Sequence, residues 1–277
     1  MSCRSYALPL PDGGLDHRLI LQHQLWRKTL DGRLLSGPLT NAVTRVLDVG
    51  AGSGGWAADF AKQHPDAQVI ALDIFEQPTV EAPSNCQFVK RDLEQDWDIG
   101  SDAKFDLIHS RMVPMHATEA RAVLRRCIEH LKPGGHIEMQ ELWLPFRTDE
   151  PPVAPESSST VIQWSHLRLE AVSKLGFDHT IAGQLPDALL EAGFEKVQVQ
   201  DYKWPIGAWV EDEKLKEIGN MFLEYLQLGK RQMSEEILAQ LGMDEQQITD
   251  LVEQVGKELG TGKIYVPARF ISARRPE

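Results

Sequence analysis

Positive charge is what this sequence most plainly lacks: 29 Lys and Arg stand against 41 Asp and Glu, a net charge of −12 with histidine neutral. That deficit argues against nonspecific binding to nucleic acid or to an anionic membrane, both of which need a positive footprint. It leaves a small-molecule or protein partner. Cysteine is scarce as well. Cys3, Cys86 and Cys127 are far apart, with no Cys-x-x-Cys pair and no even framework, so they read as reduced thiols in a reducing compartment, the last two as packing residues. Long apolar runs are missing too: no uncharged stretch is long enough to span a bilayer, and Met1 to Gly14 holds no apolar h-region. The expectation is a soluble cytoplasmic protein. There is no internal repeat, coiled-coil heptad or basic low-complexity tail, and 277 residues suffice for one large domain or a domain with an inserted cap.

What the sequence does have is concentrated at Val46-Leu47-Asp48-Val49-Gly50-Ala51-Gly52-Ser53-Gly54-Gly55-Trp56. A short apolar run, then spaced glycines, then a helical pattern reads as strand, tight turn and helix, the first half of a nucleotide-binding βαβ unit. Glycines are needed because the backbone reverses sharply and must lie against a ligand. In dinucleotide enzymes that turn faces a pyrophosphate, which a carboxylate at its mouth would repel. Asp48, two residues before Gly50, suits instead a ligand with an ammonium or sulfonium group; S-adenosylmethionine (SAM) carries both. Asp73, which ends the next strand, Gln68 to Asp73, is placed to accept from ribose hydroxyls. Either acid alone would read as a surface charge. With the loop they specify a SAM site and make a NAD-dependent dehydrogenase the least favoured alternative.

Along the chain, Asp16 to Leu30 reads as a helix, followed by a short segment Arg33 to Leu39. Cys86 to Val89 is a third strand leading to Lys90-Arg91-Asp92-Leu93-Glu94, and Asp92 past its end can accept from an adenine amine. Phe105 to Arg111 is a fourth strand, Ala120 to Leu131 a helix, Lys132-Pro133-Gly134-Gly135 a turn, and Ile137 to Leu142 a fifth strand. The strand ends gather polar residues at one edge. The pattern gives an α/β, doubly wound, seven-stranded Rossmann-like sheet with a mostly helical cap. After Trp143 the composition turns Pro- and Ser-rich. Helices are expected over Thr160 to Leu175 and Leu185 to Ala192, a strand over Glu195 to Tyr202, helical segments between Trp204 and Gly262, and a last strand Ile264 to Ala273 paired with the 195–202 strand. The implied parts are 1–40 as an N-terminal helical segment, 41–145 as SAM-binding core, 146–184 as lid, 185–203 as core helix and strand, 204–262 as helical insertion and 263–277 as final strand.

Taken together, Val46 to Trp56, Asp73, Arg91-Asp92, Phe105-Asp106-Leu107-Ile108-His109 and Leu131-Lys132-Pro133-Gly134-Gly135 resemble class I SAM-dependent methyltransferases. Gln22-His23, Leu30-Asp31-Gly32, Glu138-Met139-Gln140-Glu141, Ala192-Gly193-Phe194, Trp204-Pro205-Ile206-Gly207 and Lys216-Glu217-Ile218-Gly219 narrow the likeness to the fungal LaeA-like methyltransferases of secondary metabolism. The resemblance implies SAM as cofactor, with S-adenosylhomocysteine (SAH) as product. It puts Asp48 and Gly50 near the methionine end and Asp73 at the ribose, with Gly52, Gly54 and Ile74 also binding the cofactor. Asp92 and Leu93 would meet the adenine, His109 and Arg111 would border the methyl, and Gln22 and His23 would come from an N-terminal helix able to close over the cofactor. Serine or alanine where relatives often carry threonine in the loop is conservative for backbone geometry.

Methyl transfer from a sulfonium is an in-line displacement whose rate comes largely from alignment and exclusion of water. A base helps when the acceptor is a hydroxyl or an ammonium. His109, His116, His166 and Glu141 are the candidates, His109 foremost by its strand-end place; a histidine side chain in general suits that task near neutral pH. Metal ligation has little support, since Asp149-Glu150 lacks a partnered spacing. Trp143, Trp164, Trp204 and Trp209 suggest an apolar or aromatic small-molecule acceptor. The expected function is O- or N-methylation of a small secondary metabolite, by a monomer or homodimer that binds neither nucleic acid nor membrane. Two alternatives are a SAM-fold regulator of secondary-metabolite gene expression acting in a protein complex, which would allow a nuclear location, and a SAM-assisted cyclisation or rearrangement.

Overall fold

A computed structural model of the chain describes residues 14–39, 42–74, 80–95, 97, 99, 104–113, 119–150 and 159–277. In order these form α1 (Gly14–Thr29), β1 (Arg45–Val49), α2 (Gly55–Gln63), β2 (Gln68–Asp73), β3 (Cys86–Lys90), β4 (Phe105–Arg111), α3 (Ala120–His130), β5 (Leu131–Leu142), β6 (Arg147–Thr148), α4 (Thr160–Lys174), α5 (Leu185–Glu191), β7 (Glu195–Pro205), α6 (Glu213–Gly229), α7 (Glu235–Leu238), α8 (Glu245–Glu258) and β8 (Ile264–Arg274). The strand order is β3-β2-β1-β4-β5-β8-β6, with β7 paired to β8 as expected. The eighth strand is the two-residue β6, antiparallel to β8 with Arg147 opposite Tyr265. Two residues are too few to make an alternating pattern, which is why a seven-stranded sheet was read. The chain divides into two compact units: Leu30–Glu141 with Ala182–Asp201 and Arg269–Glu277, and Met1–Thr29 with Leu142–Ile181 and Tyr202–Ala268.

The first unit is the α/β core. β1 lies between β2 and β4, parallel to both, with Asp48 opposite Ala71 and His109. α2 is short and rich in alanine, so its backbone approaches the sheet. Trp56, Ala57, Phe60 and Ala61 pack with Val46, Val69, Ala71 and Leu107 in one apolar cluster. The Asn85 amide ties the end of α2 to the start of β2 by donating to the carbonyls of Ala61 and Ala67 at 3.0 and 2.8 Å. Asp106 performs a similar task at the starts of β1 and β4, on the same edge of the sheet. Its carboxylate accepts from the Thr44 and Arg45 backbone N–H groups at 2.9 Å and from Lys132 at 2.7 Å. Burial opposes its charge, but these donors prevail and hold its pKa below the ordinary value.

One boundary differs instructively. Lys132-Pro133-Gly134-Gly135 interrupts no strand: β5 begins at Leu131, opposite Phe105, and its register jumps so that Leu107 faces His136. The turn-forming residues make a bulge rather than a break. Gly134 has φ of +71° there, and a Cβ on Gly135 would lie 2.9 Å from the Lys132 carbonyl oxygen.

The second unit is mostly helical. α1 packs on α6, and α4 on α7 and α8. α6 was not separately foreseen within the helical stretch from Trp204, and β7 runs on to Pro205. Asp212 caps α6 through the Leu215 N–H, and Asp244 and Gln247 form a capping box at α8. Trp-Pro-Ile-Gly and Lys-Glu-Ile-Gly form a close contact. The Gly207 N–H donates to the Gly219 carbonyl at 3.0 Å, and a Cβ on Gly219 would lie 2.1 Å from the Gly207 oxygen. Glu258 fixes the start of α4 by accepting from the Thr160 N–H at 2.9 Å and its hydroxyl at 2.6 Å.

Candidate functional site

The C-terminal ends of β1 to β5 in the core unit carry the polar residues that the sequence groups together. The chain leaves β1 at Val49 and turns back at once. The N–H groups of Gly50 and Ala51 both donate to the Leu72 carbonyl, at 2.8 and 2.9 Å, and the Gly52 N–H donates to the Asp73 carboxylate at 2.7 Å. Gly50, Gly52 and Gly54 have φ of +73°, +56° and +80°, so the three glycines supply the left-handed turns that a side chain would strain. At Gly50 a Cβ would also strike Val113, at 2.5 Å, whereas none of the described residues lies within 4 Å of the Cβ position at Gly52. The loop is thus closed on its Gly50 side and open at Gly52.

Asp48 lies behind this loop, 2% exposed, with Oδ1 2.8 Å from His109 Nδ1; its Oδ2 is buried with no hydrogen-bond partner among the described residues. His109 is 0% exposed. Its ring stacks on Trp56 with centroids 3.7 Å apart and planes 2° from parallel. The strand-end argument set His109 at the margin of the site; it sits instead inside β4, under Trp56, with its Nε2 buried and unbonded among the described residues. That place suits holding Asp48, not exchanging a proton with an acceptor. Arg111, two residues on along β4, reaches the charges of Asp48 and Asp59; burial draws its pKa down to about 10 against their pull. Asp48 is therefore flanked by two groups able to offset its charge.

The row continues onto β5. Glu138 pairs with His109 in register, and its carboxylate accepts from the Ser36 N–H at 2.9 Å, the Ser36 hydroxyl at 2.7 Å and the Gln140 amide at 2.9 Å. The Leu34 carbonyl accepts from both Trp56 Nε1, at 3.0 Å, and Gln140, at 2.9 Å. So the Glu-Met-Gln-Glu motif splits by face: Glu138 and Gln140 fasten segment 34–36 against the helix that follows the glycine loop.

Glu141 projects to the other side of β5. Burial raises its pKa from 4.5 to about 8, against weak support from the Val113 and Met112 N–H groups. The Val113 N–H lies 3.4 Å from its carboxyl, and Val113 is the residue that closes off Gly50. Met112 between them holds a left-handed φ of 51°. Glu141 is thus one residue removed from the glycine loop. Ile74 follows Asp73 directly, while Asp92 accepts from the Glu94 N–H and the Gln95 amide of its own turn, and buried Leu93 offers its carbonyl to Trp97 and Arg126.

The remaining candidates lie elsewhere. His116 falls outside the described residues. His166 is exposed on α4, and Gln22 and buried His23 are on α1, all three in the helical unit. His179 was missed. Burial and neighbouring Arg168 push its pKa down to about 4, so it is neutral near pH 7; nothing in its sequence surroundings signals this. The tryptophans offered as acceptor contacts are engaged in packing. Trp164 donates to Ser234, Trp204 to the Thr29 hydroxyl and Trp209 to the Ile264 carbonyl, and Trp143 carries Arg147 over its ring.

A family profile described as a methyltransferase domain matches residues 21–199. The chain belongs to the LaeA-like class I SAM-dependent methyltransferases. It is 33% identical over 204 residues to the probable methyltransferase tdiE of Emericella nidulans, covering 73% of this chain and 62% of that protein. It is 29% identical to the secondary metabolism regulator LAE1 of Cochliobolus heterostrophus, covering 94% and 87%. The chain thus spans less than two thirds of tdiE. Among solved structures, phosphoethanolamine N-methyltransferase 2 of Haemonchus contortus with SAM aligns at a TM-score of 0.50 and 17% identity over 96% of this chain and 53% of that one, a likeness of fold. The residues of this chain fit a cationic nucleoside ligand: a buried carboxylate oxygen without a partner among the described residues, a loop open at Gly52, and a second carboxylate fixed beside it.

Proposed function

We propose that the chain transfers the methyl group of SAM to an oxygen or nitrogen of a small secondary metabolite. The observation that carries this reading is buried Asp48, its Oδ2 unpartnered among the described residues, behind a glycine loop that Asp73 holds open. Asp48 would meet the methionine ammonium, Asp73 and Ile74 the ribose, and Asp92 with Leu93 the adenine. Bound SAM supplies an activated methyl on a cationic leaving group, so the chain's own work is placement and exclusion of water. His109 keeps Asp48 oriented through their hydrogen bond. Glu141, carrying a proton up to about pH 8, can donate a hydrogen bond to an acceptor oxygen, and above that pH it can take a proton from a hydroxyl or ammonium.

A regulatory reading has its own support, because LAE1, named a secondary metabolism regulator, matches 94% of this chain. Comparative mass spectrometry of metabolites with and without the gene separates the two. The methyltransferase reading expects a compound one CH2 lighter to accumulate in place of the lost product. Loss of many unrelated metabolites favours the regulator. An isomeric compound, formed without consumption of SAM, would mark a rearrangement and sink the transfer.

A further inference from the structure

Glu138 lies within β5, 4% exposed, in one row with two residues of the candidate site: Asp48 on β1 pairs in register with His109 on β4, and His109 with Glu138. Residues directly opposite on neighbouring strands share a face of the sheet. A buried carboxylate is costly to desolvate, and an apolar side chain would fill the same place without that cost. Its partners show what the carboxylate does there. Oε2 accepts from the Ser36 N–H and hydroxyl at 2.9 and 2.7 Å, and Oε1 from the Gln140 amide at 2.9 Å. That amide also donates to the Leu34 carbonyl at 2.9 Å.

Residues 34–36 belong to no helix or strand, so no ladder of backbone bonds places them. Glu138 and Gln140 do. From there the placement reaches Asp48 in three contacts. The Leu34 carbonyl accepts from Trp56 Nε1 at 3.0 Å, and Leu34 and Leu35 pack with Trp56 in one apolar cluster. Trp56 lies flat on His109, with centroids 3.7 Å apart. His109 Nδ1 lies 2.8 Å from Asp48 Oδ1, while its Nε2 is unbonded among the described residues. One stacked ring and one hydrogen bond thus orient the imidazole, and a tilt of Trp56 moves the donor that aims Asp48.

We infer that Glu138 is a positioning residue for the cofactor: by holding segment 34–36 it keeps Trp56 flat on His109, and through His109 it keeps Asp48 aimed at the cation of the ligand. Every residue in this series belongs to the α/β unit. The inference rests on the SAM reading of Asp48. It gives Glu138 and Gln140 a part in binding beyond the packing of a loop.

Titration calorimetry with SAH on the full chain, beside urea unfolding without ligand, tests this. Glu138→Gln keeps the shape but turns an amide N–H group toward the Ser36 donors, and it should bind SAH about fivefold more weakly or worse. A residue that only packs would lower stability and leave the affinity of the folded protein unchanged. Asn85→Ala supplies that comparison, because it frees the end of α2 far from Trp56; its SAH affinity should stay within about twofold of wild type. A double-mutant cycle reads the route. In His109→Phe, where the donor to Asp48 is gone, adding Glu138→Gln should weaken SAH no further. Should Glu138→Gln not fold, Ser36→Ala removes a single donor and should show a smaller loss, about two- to threefold, that likewise vanishes beside His109→Phe. Wild-type affinity in the folded variant overturns the inference, as does a loss that Asn85→Ala matches or that persists in full beside His109→Phe. A wild type that binds no SAH overturns the SAM reading itself, and this inference with it.

Discussion

His109 and Asp48 show how one hydrogen bond fixes the roles of two buried residues. With His109 stacked on Trp56 and bonded to Asp48, the ring and the donor can be removed separately. His109→Phe keeps an aromatic face on Trp56 but leaves the buried carboxylate without its donor. It should cost about 2–3 kcal/mol of stability and weaken SAH binding. His109→Asn places an amide N–H near the lost Nδ1 and should recover binding ahead of stability. Urea unfolding beside calorimetry tests both, and equal binding losses in the two variants would remove Asp48 positioning as the explanation. Glu141 gives a second test through pH. Folding holds its proton up to about pH 8, whereas the unfolded chain releases it near the ordinary value of 4.5, so the native state binds more protons across that window. Stability should therefore fall as pH rises from about 4.5 to about 8, by up to ~1.4 kcal/mol per unit. Glu141→Gln should flatten this slope and be the more stable protein near pH 9, and a slope that persists in the variant would locate the titration elsewhere.

At the scale of elements, the short motifs differ in how much of their meaning lies in their own residues. The glycine loop was legible because its requirements are local: strand, positive-φ turn and helix occupy eleven consecutive residues, and the acid that holds the loop open ends the very next strand. Glu138 and Gln140 were not legible as anchors, since their partners Ser36 and Leu34 are about a hundred positions away. The bulge in β5 was hidden for a related reason. Lys-Pro-Gly-Gly has turn chemistry, and only pairing with β4 makes it part of a strand. Gly219 belongs to the same class, a mid-helix glycine that would read as a weak point until Gly207 is seen against it. Gly219→Ala should force the Gly207 carbonyl away from its 2.1 Å approach and cost about 3 kcal/mol. The urea midpoint should drop with an unchanged slope; a midpoint within error of wild type would show that the contact yields freely.

For the whole molecule, the sequence is most explicit about the sign of its ligand. A chain of net charge −12 with a carboxylate two residues before its nucleotide loop disfavours a pyrophosphate and favours a cation, and this follows from charge before any fold is known. The acceptor was less legible, because the tryptophans that suggested an apolar pocket are engaged in packing the helical unit. The cofactor preference has a consequence for the stability of the full chain. A ligand that binds only the native state adds RT ln(1 + [L]/Kd), so SAH at about a hundred times its Kd should contribute ~2.7 kcal/mol. For a chain of this size that is a rise in Tm of roughly 5 °C. NAD at the same concentration should give none, because its pyrophosphate offers the Asp48 carboxylate no cation to meet. Asp48→Asn should lose most of the SAH-induced rise, since an amide cannot offer the same charge to an ammonium. A shift with NAD as large as with SAH would mean that the loop, not Asp48, selects the ligand, and the case for methyl transfer would lose its physical basis.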